Sequence, residues 1–260
     1  KNHFITAFLL IVAIPALAYE PDRNEHVRFG MPSQKGLLLY RKGYVAMYDT
    51  ARKQPLWVSY KLSPEYLKNP VKPFSSFTPD PKVPQKYSAQ NADYAKAFYS
   101  RARMAPMKDM LRSAETMMES YYLSNVCPMS KELYTGKWQE LEQVVRDFVS
   151  DRRRDVWVIS GPAFKPPKNG VIRAIGTGKV AVPTHFYKVI LFQDSDGSFN
   201  AMGFLFDNRE QSARLQEYMV TVSEIEELTG LVFLDRLPPE AGKLIKGRPV
   251  PQEKAVRFFN

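Results

Sequence analysis

The order of patterned segments constrains this fold most. Short, apolar, strand-like runs lie toward both ends of the chain, with amphipathic helical segments between them. Residues 37–40 and 44–48 flank Arg41-Lys42-Gly43, which reads as a hairpin with glycine at its turn. A second turn over 49–54 leads to the strand-like run 56–60, and the proline-rich stretch 61–92 reads as a long connection ordered by packing. A helix is expected over 111–121, with Leu111, Ala114 and Met118 on one side, and residues 122–126 read as a strand or its end. The strongest helix runs from Gly136 through Arg146 and beyond, with Trp138, Leu141, Val145 and Phe148 on one face. Glu142 and Arg146 stand at i and i+4, so their side chains lie together beside that face. Strand patterns return at 156–160, 186–192 and 200–206, the last two joined through Asp194-Ser195-Asp196-Gly197, which has hairpin turn chemistry. Residues 223–226 read as a capping box opening a short helix that Gly230 ends. The expected class is therefore α+β with a mainly antiparallel sheet. No internal repeat or linker interrupts the pattern, so residues 19–260 read as a single domain.

A hydrophobic content of 44% across 260 residues suffices for a sizeable core and excludes wholesale disorder. Cys127 is the only cysteine, which excludes an intramolecular disulfide and any zinc ribbon, so stability must come from packing. Lys1, the apolar run 4–14 and Ala16-Leu17-Ala18 have the layout of an export signal cleaved after Ala18, which predicts a secreted or periplasmic protein. No other segment is long or apolar enough for a membrane span. The net charge of +10 falls to about +9 on losing residues 1–18, which contain one lysine and no acid. A basic protein of this kind has polyanions, nucleic acid among them, as natural partners. The run Asp151-Arg152-Arg153-Arg154-Asp155 sits at a helix end, where basic side chains complement the helix dipole or contact nucleic acid. Met104, Met107, Met110, Met117 and Met118 read as core filler, and Cys127 as a small buried hydrophobe.

The chemistry concentrates in residues 99–110, Tyr-Ser-Arg-Ala-Arg-Met-Ala-Pro-Met-Lys-Asp-Met. This block resembles the Asp/Ser-Arg-Gly-His-Met-Ala-Pro signature of the DNA/RNA non-specific endonuclease family. The resemblance continues in order from about residue 29 to 237. Phe29-Gly30-Met31-Pro32, Gly43-Tyr44-Val45 and the segment 55–60 are similar to the family's entry and first strands. Lys72 to Phe77 and Asp80-Pro81 precede the block, and the segments 122–128, 158–162, 183–188 and 222–231 follow it. Gly136-x-Trp138-x-x-Leu141-Glu142-x-x-x-Arg146 resembles the family helix.

The resemblance implies a ββα-metal nuclease core in which a signature histidine is the general base and a helix asparagine helps hold one magnesium ion. Arg101, Glu142 and Arg146 match the assisting arginine, glutamate and arginine, and Asn125 matches a residue near the site. Arg103 stands at the histidine position, and Tyr134 at the metal-ligand asparagine position two residues before Gly136. A guanidinium stays protonated and cannot serve as a base near neutral pH. Loss of a general base alone removes roughly 10² to 10⁴ in rate. A cation about 4 Å from a divalent ion is repelled by about 8 kcal/mol at an effective dielectric near 20, before screening and relaxation. A neutral phenol is a poor replacement for an amide oxygen on magnesium.

Three readings follow. The chain binds nucleic acid through Arg101, Arg103, Lys72, Arg146 and Asn125 with impaired or lost catalysis and possesses no working metal site. Alternatively, it is an active magnesium-dependent DNA/RNA endonuclease with a rebuilt site, using Glu142 or His185 as base. In the third reading it is a secreted protein-binding module. Within the first, Arg103 either holds a phosphate with Arg101 and Arg146 or simply pairs with Glu142.

Overall fold

A computed structural model describes residues 24–32, 35–73, 76–95, 97–165, 170–249, 255, 258 and 259. Seven strands form an antiparallel sheet: β1 (Leu37–Tyr40), β2 (Val45–Asp49), β3 (Gln54–Leu62), β6 (Val156–Ala163), β9 (His185–Gln193), β10 (Phe199–Asp207) and β11 (Met219–Val220), in that spatial order. Two ribbons stand apart from it, β4 (Tyr99–Arg103) with β5 (Val126–Ser130) and β7 (Ala174–Ile175) with β8 (Val180–Ala181). The helices are α1 (Asn91–Tyr94), α2 (Ala114–Ser120), α3 (Lys131–Leu133), α4 (Gln139–Arg152), α5 (Val222–Thr229) and α6 (Pro239–Lys246). The expected α+β class and mainly antiparallel sheet are what the chain forms.

The period-2 alternation of the central strands sorts two cores onto opposite faces of the sheet. On β9, Phe186, Ile190 and Phe192 join Val58, Tyr60 and Val158 beneath α4, while Tyr187, Val189 and Leu191 join Trp57, Ile159 and Ile225 on the other side. Helix α4 buries Leu141, Val145, Phe148 and Val149, and Trp138 just before it packs edge-on against Phe186 and Phe206. The helical face read from the sequence is the buried face. Lys188 has the same strand parity as Phe186 and Ile190, so a lysine is placed under α4 within the core.

Several local expectations are corrected. Helix α2 starts at Ala114, because Ser113 caps it and forms a reciprocal capping box with Thr116. Ala114 and Met118 do share a side, but it is the solvent side: Thr116, Met117 and Ser120 are buried, while Met118 is 45% exposed and Ala114 faces solvent. Met118 is therefore not core filler, unlike Met104, Met110 and Met117. The second capping box lies two residues earlier than expected, with Thr221 and Glu224 as partners, although Gly230 does end α5 in the left-handed conformation. Residues Leu123–Asn125 form a 3-10 turn before β5 rather than a strand. Gly43 stands in a close approach: a Cβ there would lie 2.5 Å from Met110 Sδ and 3.3 Å from Thr116 Cβ, so the Met110 side chain would have to shift. The connection preceding β4 is tied down by Asp80, which is buried and takes hydrogen bonds from Arg41, Ser124 and the Lys82 amide. Among the described residues, no helix is long and apolar enough to cross a membrane.

Candidate nucleic-acid cleft

Strand β4, strand β5 and helix α4 build the site. Ala102 is fully buried, so its neighbours Arg101 and Arg103 project from the opposite face of β4. Ser160 on the main sheet donates its hydroxyl to the Met104 carbonyl over 2.8 Å and anchors the end of β4. Asn125 holds the same loop: its carboxamide accepts from the Ala105 N–H at 2.8 Å and donates to the Ala105 and Ser120 carbonyls at 2.9 and 2.8 Å. With no exposure and its amide committed to backbone, Asn125 braces the loop, and the expected contact with nucleic acid is corrected for this residue.

After β5, α3 continues through a five-residue π turn whose helical dihedrals break at Gly136. This segment carries Tyr134 to the mouth of the cleft. Arg103 Nη2 donates to the Tyr134 hydroxyl over 3.3 Å, and the guanidinium lies 4.7 Å from the Tyr121 ring centroid and 5.5 Å from that of Phe77. The residues at the expected base and metal-ligand positions are thus bonded to each other. No ion pair joins Arg103 to Glu142 among the described residues, so that reading of Arg103 is set aside.

Helix α4 supplies Glu142 and Arg146, 6% and 8% exposed. Arg146 donates to Asp109 Oδ1 over 2.8 Å and to Gln143 Oε1 over 3.0 Å, and the Tyr60 hydroxyl donates to Asp109 Oδ2 over 2.8 Å. Lys188 lies wholly buried with Nζ 4.2 Å from the Trp138 ring centroid and no hydrogen-bond partner among the described residues. Glu142 Oε1 is likewise unpartnered. Burial raises the Glu142 carboxyl to about 7, against the opposing pull of Lys188, Arg146 and Arg103 and with the help of Asp109. Burial lowers the Lys188 ammonium. Arg103, Tyr134, Glu142, Gln143 and Arg146, with Lys108 at the surface, line a cleft of about 510 Å³.

Sequence reasoning missed Asp109 and Lys188. Lys188 had a signal, a charged residue at core parity in the apolar run 186–192; Asp109 had none, since its partners Tyr60 and Arg146 are 49 and 37 residues away. Arg101 sits on the same face of β4 but outside the cleft, its guanidinium over Phe77 and Tyr94 and donating to the Asn91 carbonyl over 3.2 Å. Lys72 is exposed and does not line the cleft. His185 is also elsewhere, with Nε2 3.0 Å from Asp207 Oδ1 and Nδ1 within 2.8 Å of the Thr184 hydroxyl.

The donor set does not fit magnesium. Asp109 has both oxygens engaged, the Tyr134 hydroxyl accepts from a guanidinium, Glu140 pairs with Lys137 over 2.8 Å, and Glu142 is flanked by three buried or half-buried cations. A divalent cation requires several oxygen ligands and is repelled by such neighbours.

This β-strand pair and helix, set against an antiparallel sheet, define the class of nuclease folds to which the chain belongs. It is a member of the DNA/RNA non-specific endonuclease family, whose description matches residues 22–240. Nucleases of this family are metal-dependent. The chain is 38% identical over 246 residues to nuclease EXOG, mitochondrial, of Danio rerio, covering 87% of this chain and 71% of that protein. It is 34% identical over 222 residues to nuclease EXOG, mitochondrial, of Mus musculus, covering 81% of this chain and 60% of the relative. Among solved structures it is similar to a chain in the crystal structure of the EndoG/EndoGI complex, with a TM-score of 0.77 and 26% identity over 83% of this chain and 92% of that one. Residues 1–18 lie outside the described residues. The expectation of a secreted or periplasmic protein is corrected, because these relatives are named mitochondrial nucleases. A basic, apolar, acid-free N-terminal stretch does not by itself select between targeting routes.

Proposed function

We propose that the protein keeps the family's hold on nucleic acid but hydrolyses it poorly or not at all, as a single nuclease-like domain spanning residues 19–260. The carrying observation is the hydrogen bond from Arg103 to Tyr134, which joins the two residues at the expected base and metal-ligand positions. In this reading Arg103 takes over the electrostatic work of the metal. With Arg146 in the cleft it holds a phosphodiester by charge-assisted hydrogen bonds, while Arg101, outside the cleft on the same face of β4, adds positive charge to the approach. The relatives' names support placing the protein in mitochondria.

The test compares the wild type with Arg103→His plus Tyr134→Asn on supercoiled plasmid with magnesium. The wild type is expected to bind with a steep salt dependence and leave the plasmid intact, and the double variant to nick it. Efficient cutting by the wild type that Arg103→Ala abolishes would sink the proposal. A second reading, a nuclease with a rebuilt site, is favoured by one observation: Glu142 has an unpartnered oxygen and a carboxyl raised to about 7, suited to taking a proton near neutrality. It predicts a measurable rate that Glu142→Gln removes without weakening binding.

A further inference from the structure

Tyr134 brings a phenol into the cleft and hydrogen-bonds it to the side chain best suited to hold a phosphate. Its ring is half-buried against the main core, so packing holds the hydroxyl from behind. The π turn Tyr134–Trp138 carries it, and turns of this kind recur at functional sites. A guanidinium presents five N–H donors in one plane. In Arg103, Nη2 donates to the Tyr134 hydroxyl and no carboxylate lies within ion-pair distance among the described residues, so the fork keeps donors for a phosphodiester oxygen. A phosphodiester held there has its phosphorus beside the phenol oxygen on the same fork. The phenolic proton has no acceptor among the described residues. Glu142 lines the same cleft with one oxygen unpartnered, and its carboxyl, raised to about 7, exchanges a proton near neutrality. A phenol gives up its proton far more readily than water does, which favours it as the nucleophile where no histidine lines the cleft.

We propose that Tyr134 is a catalytic nucleophile that opens a nucleic-acid strand by transesterification and joins it to the protein through a phosphotyrosyl bond, a proposal that rests on the nucleic-acid reading of the cleft. The phenol oxygen bonds to phosphorus as the bond from phosphorus to one bridging sugar oxygen breaks. Glu142 takes the phenolic proton and delivers it to the departing sugar oxygen, so the step balances with no further reactant. Arg103, with Lys108 at the rim, offsets the charge on the phosphoryl oxygens. An aryl oxide leaves phosphorus more readily than a sugar alkoxide, so the released sugar hydroxyl attacks in turn and reseals the strand. Net hydrolysis therefore stays low, in keeping with the poor hydrolysis proposed above.

Sulfur in place of the bridging oxygen blocks resealing, because the released thiol attacks phosphorus poorly. Two labelled oligonucleotides, one with sulfur at a 5′ bridging position and one at a 3′ bridging position, are incubated with the wild type in a chelator and resolved on denaturing gels. One of the two is expected to yield a labelled protein band, and peptide mass mapping to place the nucleotide on Tyr134. Tyr134→Phe keeps the ring packing and is expected to give no band, and Glu142→Gln to slow its formation about 100-fold. Anisotropy with the same oligonucleotides at low salt reads binding separately. Binding without a band from either oligonucleotide refutes the nucleophile while the nucleic-acid reading stands, and so does a band that survives Tyr134→Phe. Cut strands without a band refute it in favour of water activated by Glu142. If the wild type binds neither oligonucleotide, both readings fall together.

Discussion

Glu142 makes stability depend on pH in a direction opposite to that of an ordinary paired carboxylate. Its carboxyl is 6% exposed, one oxygen lacks a hydrogen-bond partner, and burial raises it from 4.5 in the unfolded chain to about 7 in the fold. The groups facing it are Lys188 from β9, Arg146 from its own helix, Arg103 from β4 and Asp109 from the loop after β4. A folded value above the unfolded one means that the native state binds the proton more tightly. The contribution is whole below pH 4.5, declines as pH rises, and is gone once pH has passed about 7. The shift converts to about 3 kcal/mol between the two limits. Glutamine keeps the shape and cannot ionise, so the advantage of Glu142→Gln over wild type should grow by about 3 kcal/mol from pH 4.5 to pH 8. Urea unfolding of both proteins at half-unit pH steps measures this, and other titrating groups cancel in the difference. In a Lys188→Met background the rise should extend to higher pH, because the largest opposing charge is gone. A difference between glutamate and glutamine that stays constant with pH to within about 1 kcal/mol would refute the reasoning, since the carboxyl would then titrate alike in both states.

Two further outcomes test the buried polar groups. His26 accepts the Lys61 N–H at Nδ1 over 3.0 Å and reaches the Lys42 carbonyl with Nε2 at 3.2 Å, and burial lowers its imidazole to about 4. Its contribution is present above pH 6.5 and is lost as pH falls through about 4, by about 3 kcal/mol; a difference in urea stability between wild type and His26→Gln that stays flat over that window counts against it. Asp109→Asn leaves Arg146 without its charge partner and should cost about 3–5 kcal/mol, whereas replacing Arg146 by methionine in the same chain recovers part of that loss; a single-variant cost below about 1 kcal/mol in thermal or urea unfolding would show the pair to be dispensable.

What the sequence determined by itself was whatever depends on neighbours a few residues apart. The face of α4 was legible because Trp138, Leu141, Val145 and Phe148 recur at helical spacing, and burial follows that period. The sheet strands were legible as short apolar runs, and the family as an ordered series of short blocks. The departures at Arg103 and Tyr134 were also plain, because a residue's identity needs no fold. The errors fell where the local signal was degenerate. Ser113 and Thr221 each competed with another plausible helix start, and the spacing that put Ala114 and Met118 on one side did not say which side meets the core. The composition of residues 1–18 led to an expectation of export, which the relatives' mitochondrial names overturn. Tertiary structure alone decided who touches whom across the chain. It bonded Arg103 to Tyr134, surrounded Asp109 with Tyr60 and Arg146, consumed the Asn125 amide on backbone, and set Lys188 beneath Trp138. Those pairings join residues tens of positions apart, and the ionisation of Glu142 depends on how far each of them excludes water. Spacing along a chain carries no record of either quantity.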